Sequence, residues 1–139
     1  MLTALVAAAG GRWGTVPAEA RPLYHGAVTM VSNATVTVTA MAAACLEAIG
    51  VPDALPAILP LLRGAVDNLA RTPSVGAAIT GPVGRGDAGV LAAHVAAITE
   101  QRPELLPLFL AVERATLDLA VATGRLAEET AGRLRERLA

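Results

Sequence analysis

The sequence predicts an all-α domain, on three observations. Of 139 residues 54% are hydrophobic and 17% charged, with aromatics confined to Trp13, Tyr24 and Phe109, so the chain has the means to bury a core and is too apolar to stay disordered. Helix punctuation recurs along it: Pro22, Asp53, Asp87 and Pro103 stand where helices would start, and Gly50 and Gly124 where they would stop. The one long alternating run, TVTVT at 35–39, has helical composition on both flanks and no turn residue between.

In order along the chain, residues 2–9 read as the end of a helix, Gly10 and Gly11 as its stop, and residues 12–16 as a short strand ended by Pro17. One strand makes no sheet, so residues 1–16 are expected to be the trailing edge of an α/β domain, and residues 17–139 a helical domain. From Pro22 to about Ile49 a single long buried helix is expected, although the β-branched middle also fits a strand. Asp53 is placed to cap the next helix, running to about Ala70, with Pro56 in its first turn and Pro60 bending it. Ser74 is placed to cap a short helix through Ile79; residues 80–87 follow as a loop, and Asp87 caps a helix to about Glu100. Pro103 opens a helix over 104–122, and residues 126–138 are amphipathic, with Ala127, Ala131, Leu134 and Leu138 on one stripe.

Composition excludes several kinds of function. All 11 basic residues are arginines, spread along a chain of net charge −1, which is no nucleic-acid footprint. Without lysine there is no Schiff-base chemistry and no lysine acid or base. Two isolated histidines, His25 and His94, and one cysteine, Cys45, offer no metal-ligand cluster; Cys45 reads as a small core residue in a reducing, cytoplasmic protein. Residues 2–9 lack the basic start and small-residue end of a signal peptide. Residues 26–46 carry no charge and are long enough to span a membrane, but Thr29, Ser32, Asn33, Thr35, Thr37 and Thr39 favour a helix covered by protein. So few polar side chains leave a large subunit or domain interface as the expectation, and with it an oligomer.

Two constellations could carry chemistry. TGPVGRGD, at 80–87, holds three glycines that permit close backbone approach, Arg85 as a forked donor for a carboxylate or phosphate, and Asp87 as a helix cap. The alternative is a tight interhelical turn with Arg85 paired to a surface acid. Tyr24 and His25 open the long helix, with Ser32 and Asn33 about two turns beyond. His25 could move a proton and Asn33 orient a carbonyl, or the four could form a satisfied polar cluster. No G-x-G-x-x-G after a strand, P-loop or nucleophile elbow occurs.

Taken together, Arg21-Pro-Leu-Tyr-His-Gly-Ala, Val31-Ser-Asn, Leu59-Pro-Leu-Leu-Arg, Asn68-Leu, TGPVGRGD and Ala115-Thr-Leu-Asp-Leu-Ala resemble, in order and spacing, the C-terminal helical domain of the DUF2520 family. The resemblance covers roughly residues 17–122; Gly26 and Gly84 stand where the family pattern suggests alanine. It implies a 6-phosphogluconate dehydrogenase C-terminal-like helical dimerisation domain, similar also to that of pyrroline-5-carboxylate reductase. Such a domain sits behind a Rossmann-like NAD(P)-binding domain, and residues 2–16 resemble that domain's last helix and strand. The resemblance places Tyr24, His25, Ser32 and Asn33 on a substrate cleft, His25 and Asn33 as its catalytic pair, and Thr80, Gly81, Arg85, Gly86 and Asp87 on another wall. It further implies a homodimer acting on a small keto acid or imine, with NAD(P) held by a Rossmann-like partner in cis or trans. With no dinucleotide fingerprint in this sequence, the chain alone is expected to bind no cofactor and to be inactive. The alternative is a non-catalytic dimerisation or scaffold module.

Overall fold

Every regular element among the described residues is helical, as expected of an all-α chain. The computed structural model describes residues 2–12 and 14–139, Leu2 by its backbone alone. Contacts divide the chain into two compact units, Met1–Val38 and Thr39–Ala139.

The first unit opens with α1 (Leu2–Ala8), which stops at Gly10 as the sequence indicates: the amide of Gly10 donates to the Ala7 carbonyl at 3.0 Å and that of Gly11 to Val6 at 2.8 Å. The strand expected at 12–16 is not formed at Arg12 or at residues 14–16, and Trp13 lies outside the described residues. A strand needs a partner ladder, and the unit's other elements are helices. A 3-10 turn (Ala18–Ala20) leads into α2 (Arg21–Thr29), with Pro22 in the first turn, where a missing N–H removes no helical bond. A π-helical turn follows (Met30–Ala34), then α3 (Thr35–Ala48). The β-branched run at 35–39 is therefore helical, and the strand alternative is set aside. Helix is continuous from Ala18 to Ala48, contains an 18-residue stretch with a mean hydropathy of 1.4, and is long and apolar enough to cross a membrane by length and composition alone. It ends as Gly50 and Val51 donate to the Glu47 and Leu46 carbonyls, both at 3.0 Å.

In the second unit, α4 (Ala54–Arg71) carries Pro60 in its interior. Asp53 precedes it, but its side chain accepts no capping bond, contrary to expectation: Asp53 sits at φ 50°, in the left-handed region. Ser74 does cap the next segment, its Oγ accepting from the Ala77 amide at 3.2 Å, and that segment is a single 3-10 turn (Gly76–Ala78). Then come α5 (Gly81–Arg85), α6 (Ala88–Gln101), a 3-10 turn (Pro103–Leu105) running into α7 (Leu106–Ala122), and α8 (Glu128–Arg135).

The core of this unit is built late in the chain. Val83 of α5, Leu91 of α6, Leu117 and Ala120 of α7, and Ala131, Leu134 and Leu138 of the C-terminal stretch are buried together. Ala131, Leu134 and Leu138 recur at i, i+3 and i+7, as an amphipathic helix must to face one neighbour. Ala127, expected on that stripe, is exposed at the start of α8, and Leu126 packs on the core instead. Small residues at 120 and 131 let α7 and α8 approach closely, and Gly76 takes this further: a Cβ there would overlap Thr123. Arg102 ties the ends of α3 and α6, donating to the Ala44 carbonyl at 3.2 Å and to Glu104 at 2.7 Å.

The earlier helices are dressed differently. Within the helix Ala18–Ala48 only Ala43 is buried, and Leu23, Met30 and Val31 are 80%, 72% and 75% exposed. On α4, Leu61, Val66 and Leu69 are exposed as well. Among the described residues, the large apolar side chains left exposed after Val75 are Val90, Leu108, Val112 and Leu119, each below 40%.

Candidate functional site

The first constellation lies in the Met1–Val38 unit. Tyr24 and His25 stand on α2, exposed, and Ser32 and Asn33 stand in the π turn, also exposed. Ser32 Oγ donates to Asn33 Oδ1 at 3.2 Å, which holds the carboxamide of Asn33 in place. Residues seven apart share a face only in an unbroken α-helix, and the π turn at 30–34 shifts Ser32 and Asn33 out of the register expected from His25. Such a turn also disturbs the regular bonding of main-chain carbonyls, and Thr35 Oγ1 serves one of them, donating to the Val31 carbonyl at 2.6 Å. Nothing in the spacing of MVSNA announced this turn; a β-branched residue placed to bond back to a carbonyl is the nearest signal.

The second constellation lies in the other unit, and its expected loop is largely a short helix. Pro82 sets a helical φ near the start of α5, and Gly86 ends it at φ 71°. The amides of Gly86 and Asp87 close that end on the Val83 and Pro82 carbonyls at 3.2 and 2.9 Å. Val83 is buried in the core, and a Cβ on Gly86 would come within 2.6 Å of Thr130 Cγ2, so α5 is pressed onto α8. Asp87 does what the sequence assigns it: its carboxylate accepts from the Val90 amide at 3.0 Å and caps α6.

Those contacts leave a distinct set facing outward. Thr80 is exposed and extended, Gly81 has open space around its Cα, and Arg85 is exposed and makes no ion pair or hydrogen bond among the described residues. Among the described residues no surface acid pairs with Arg85. A guanidinium so placed, on a backbone fixed at Val83 and Gly86, is available to a carboxylate or phosphate in the forked geometry that arginine favours.

Several features escaped the sequence reading. Asn68 Nδ2 on α4 donates to the Ala78 carbonyl at 3.1 Å. Glu113 on α7 is half-buried; desolvation raises its pKa from 4.5, with His94 working in the opposite direction. A cavity of about 340 Å³ is lined by Arg114, Leu117, Asp118, Arg135, Leu138 and Ala139. Its arginines are engaged: Arg114 donates to the Leu138 carbonyl, and Arg135 bridges Glu128 and, at 3.3 Å, Asp118, both of which raise its pKa. Among the described residues no three His, Cys, Asp or Glu side chains cluster as a metal site would require.

The residues present do not fit a dinucleotide. A pyrophosphate is bound where a strand feeds a glycine turn into a helix N-terminus, and here Gly81 and Gly84 lie within, and Gly86 ends, a five-residue helix that among the described residues follows no strand and holds Pro82, which has no N–H to offer.

Among the described residues, fold and site define an all-helical chain with an apolar, exposed helical stretch and an exposed arginine, Arg85, on a segment whose Val83 belongs to a core drawn from residues 83–138. The family described as Domain of unknown function (DUF2520) matches residues 1–116, and the chain belongs to that family. No curated protein and no solved structure matches it.

Proposed function

We propose that this chain is the substrate-binding and dimerisation part of a Rossmann-type, NAD(P)-dependent oxidoreductase-like protein acting on a small keto acid or imine in the cytoplasm. The single observation that carries the reading is Arg85, a guanidinium without a partner among the described residues, on a segment whose neighbours are fixed by packing and capping. Its part is to hold the substrate's carboxylate. Thr80, Gly81, Gly86 and Asp87 shape the same wall. In the other constellation, with Tyr24 and Ser32 beside it, Asn33 orients the substrate carbonyl or imine and His25 supplies the proton the reduced product needs. A nucleotide-binding domain in cis or trans would hold the nicotinamide that would supply hydride, so the chain alone is expected to show no redox activity. The 6-phosphogluconate dehydrogenase C-terminal-like fold and the origin of residues 1–16 in the Rossmann half belong to this proposal.

The exposed apolar residues Leu23, Met30 and Val31 support its second half, a protein partner that covers the helix Ala18–Ala48. A second copy of the chain fills that role in a homodimer. The same residues favour one other reading, a non-catalytic dimerisation module. Titrating small keto acids, pyruvate first, onto the chain while following the backbone amide resonances of residues 80–87 separates the two: saturable shifts that are lost in Arg85→Ala support substrate binding, and no shift with any of the keto acids supports the module. Recovery of the chain in the soluble fraction without detergent argues for protein cover of the helix, and recovery only in detergent argues against it.

A further inference from the structure

We infer that Asn68, on α4, is the positioning residue for the start of the segment 78–87, holding the Ala78 carbonyl and so fixing the entry through Thr80 to α5, which carries Gly81 and then Arg85; the functional consequence rests on the reading of Arg85 as an anion contact.

The main-chain carbonyls at the end of a helical turn have lost their regular partners and must find others. Ala78 is the last residue of the 3-10 turn Gly76–Ala78, and Ile79 after it is extended, at φ −67° and ψ 123°. A helix continued through this point would serve the Ala78 carbonyl with the amide four residues on. That residue is Pro82, which has none. The regular i+4 donor is thus missing, and among the described hydrogen bonds it is the Asn68 carboxamide, ten residues upstream, that serves this oxygen, at 3.1 Å and partly buried.

The other end of the segment is secured by other means: Val83 is buried in the core, Gly86 abuts Thr130 and Leu126, and Asp87 caps α6. At the Ala78 end Ser74 closes the 3-10 turn on the Ala77 amide but leaves the Ala78 carbonyl to Asn68. Just past the end of α4, Thr72 is extended and its buried Oγ1 has no hydrogen-bond partner, so it contributes no substitute. Among the described residues, the side-chain hydrogen bond between α4 and the start of this segment is the one from Asn68, and a donor is what the position requires.

Amide hydrogen exchange on the full 139-residue chain tests this, because local opening is read residue by residue. Asn68→Asp keeps the shape and replaces the donor by an acceptor facing a carbonyl. It should speed exchange of the amides at 79–86 by about tenfold or more, leave the amides of α6, α7 and α8 within about twofold, and move the Arg85 Nε–Hε resonance. Asn68→Gln, which keeps the donor on a longer arm, should restore most of the protection. Unchanged exchange at 79–86 in Asn68→Asp overturns the inference. So does equal acceleration throughout α6–α8, which makes Asn68 a general packing residue, and so does Asn68→Gln behaving as Asn68→Asp. The anion reading is judged separately by adding pyruvate to the unsubstituted chain: no response at Arg85 removes that reading while the exchange pattern still decides the role of Asn68.

Discussion

Arg85 and Asp87 are two residues apart and do opposite things. The carboxylate of Asp87 is committed to the Val90 amide, whereas the guanidinium of Arg85 has no partner among the described residues. Asp87→Ala should therefore lower the stability of the chain by about 1 kcal/mol, the usual worth of a helix cap, in a urea titration. Arg85→Ala should change it by less than about 0.5 kcal/mol, as a surface substitution without a structural task does. Glu113 gives a prediction in pH. Burial raises its folded-state pKa above 4.5, so across the window between that value and the raised one the folded chain holds more protons than the unfolded one. Its contribution to stability therefore falls as pH rises through the window, and the cost of the buried charge is complete above it. Glu113→Gln should stabilise the chain at neutral pH and gain nothing below the window; urea midpoints measured from pH 4 to pH 7 for both chains would reveal a constant difference if Glu113 were solvated. Sequence alone could name Asp87, because capping is a local pattern. It could not name Asn68 or Glu113, whose surroundings come from residues ten or more positions away.

Among the elements, helices bounded by strong local signals were legible and those set by context were not. Gly50 and Gly124 end helices where expected, because the glycine stop needs only its own turn. The segment 80–87 read as a loop because three glycines and a proline argue against helix in isolation; Val83 in the core outweighs them for a turn and a half, and α5 forms. Arg12 and residues 14–16 failed as a strand for the complementary reason, a local pattern without a partner. Within the candidate site, the cap was visible in TGPVGRGD while the pairing of Arg85 was left open, and the π turn under Ser32 and Asn33 depends on bonding that no side-chain spacing encodes. Two substitutions measure what holds α5 and its support. Gly86→Ala should cost about 1–2 kcal/mol, since an alanine must adopt φ 71° while meeting Thr130. Leu134→Ala, which empties a fully buried site of α8, should cost about 2–5 kcal/mol. Urea unfolding checks both, and equal costs at the two positions would mean that α5 is as deeply rooted as α8.

For the whole chain, burial and exposure fall along the sequence. The buried cluster runs from Val83 to Leu138, while the most exposed large apolar side chains lie before Val90. A hydrophobic fraction of 54% promised more apolar surface than one chain of this size could hide, and the exposed part has a definite address on the helix Ala18–Ala48 and on α4. If a second copy covers the first of these, sedimentation equilibrium should return twice the chain mass, and Val31→Asp should return the single mass with the helical circular dichroism unchanged. A single mass for the unsubstituted chain would contradict the homodimer. The central claim, that Arg85 holds the carboxylate of a substrate reduced by a nicotinamide from a partner domain, has a more direct test. The chain is mixed with a nucleotide-binding domain of its family and reduced nicotinamide oxidation is followed over a panel of small 2-keto acids. The account predicts oxidation with at least one of them, slowed about a hundredfold by Arg85→Ala, as loss of one partner of a charged pair implies; an equal rate with Arg85→Ala, or no oxidation over the whole panel, would contradict it.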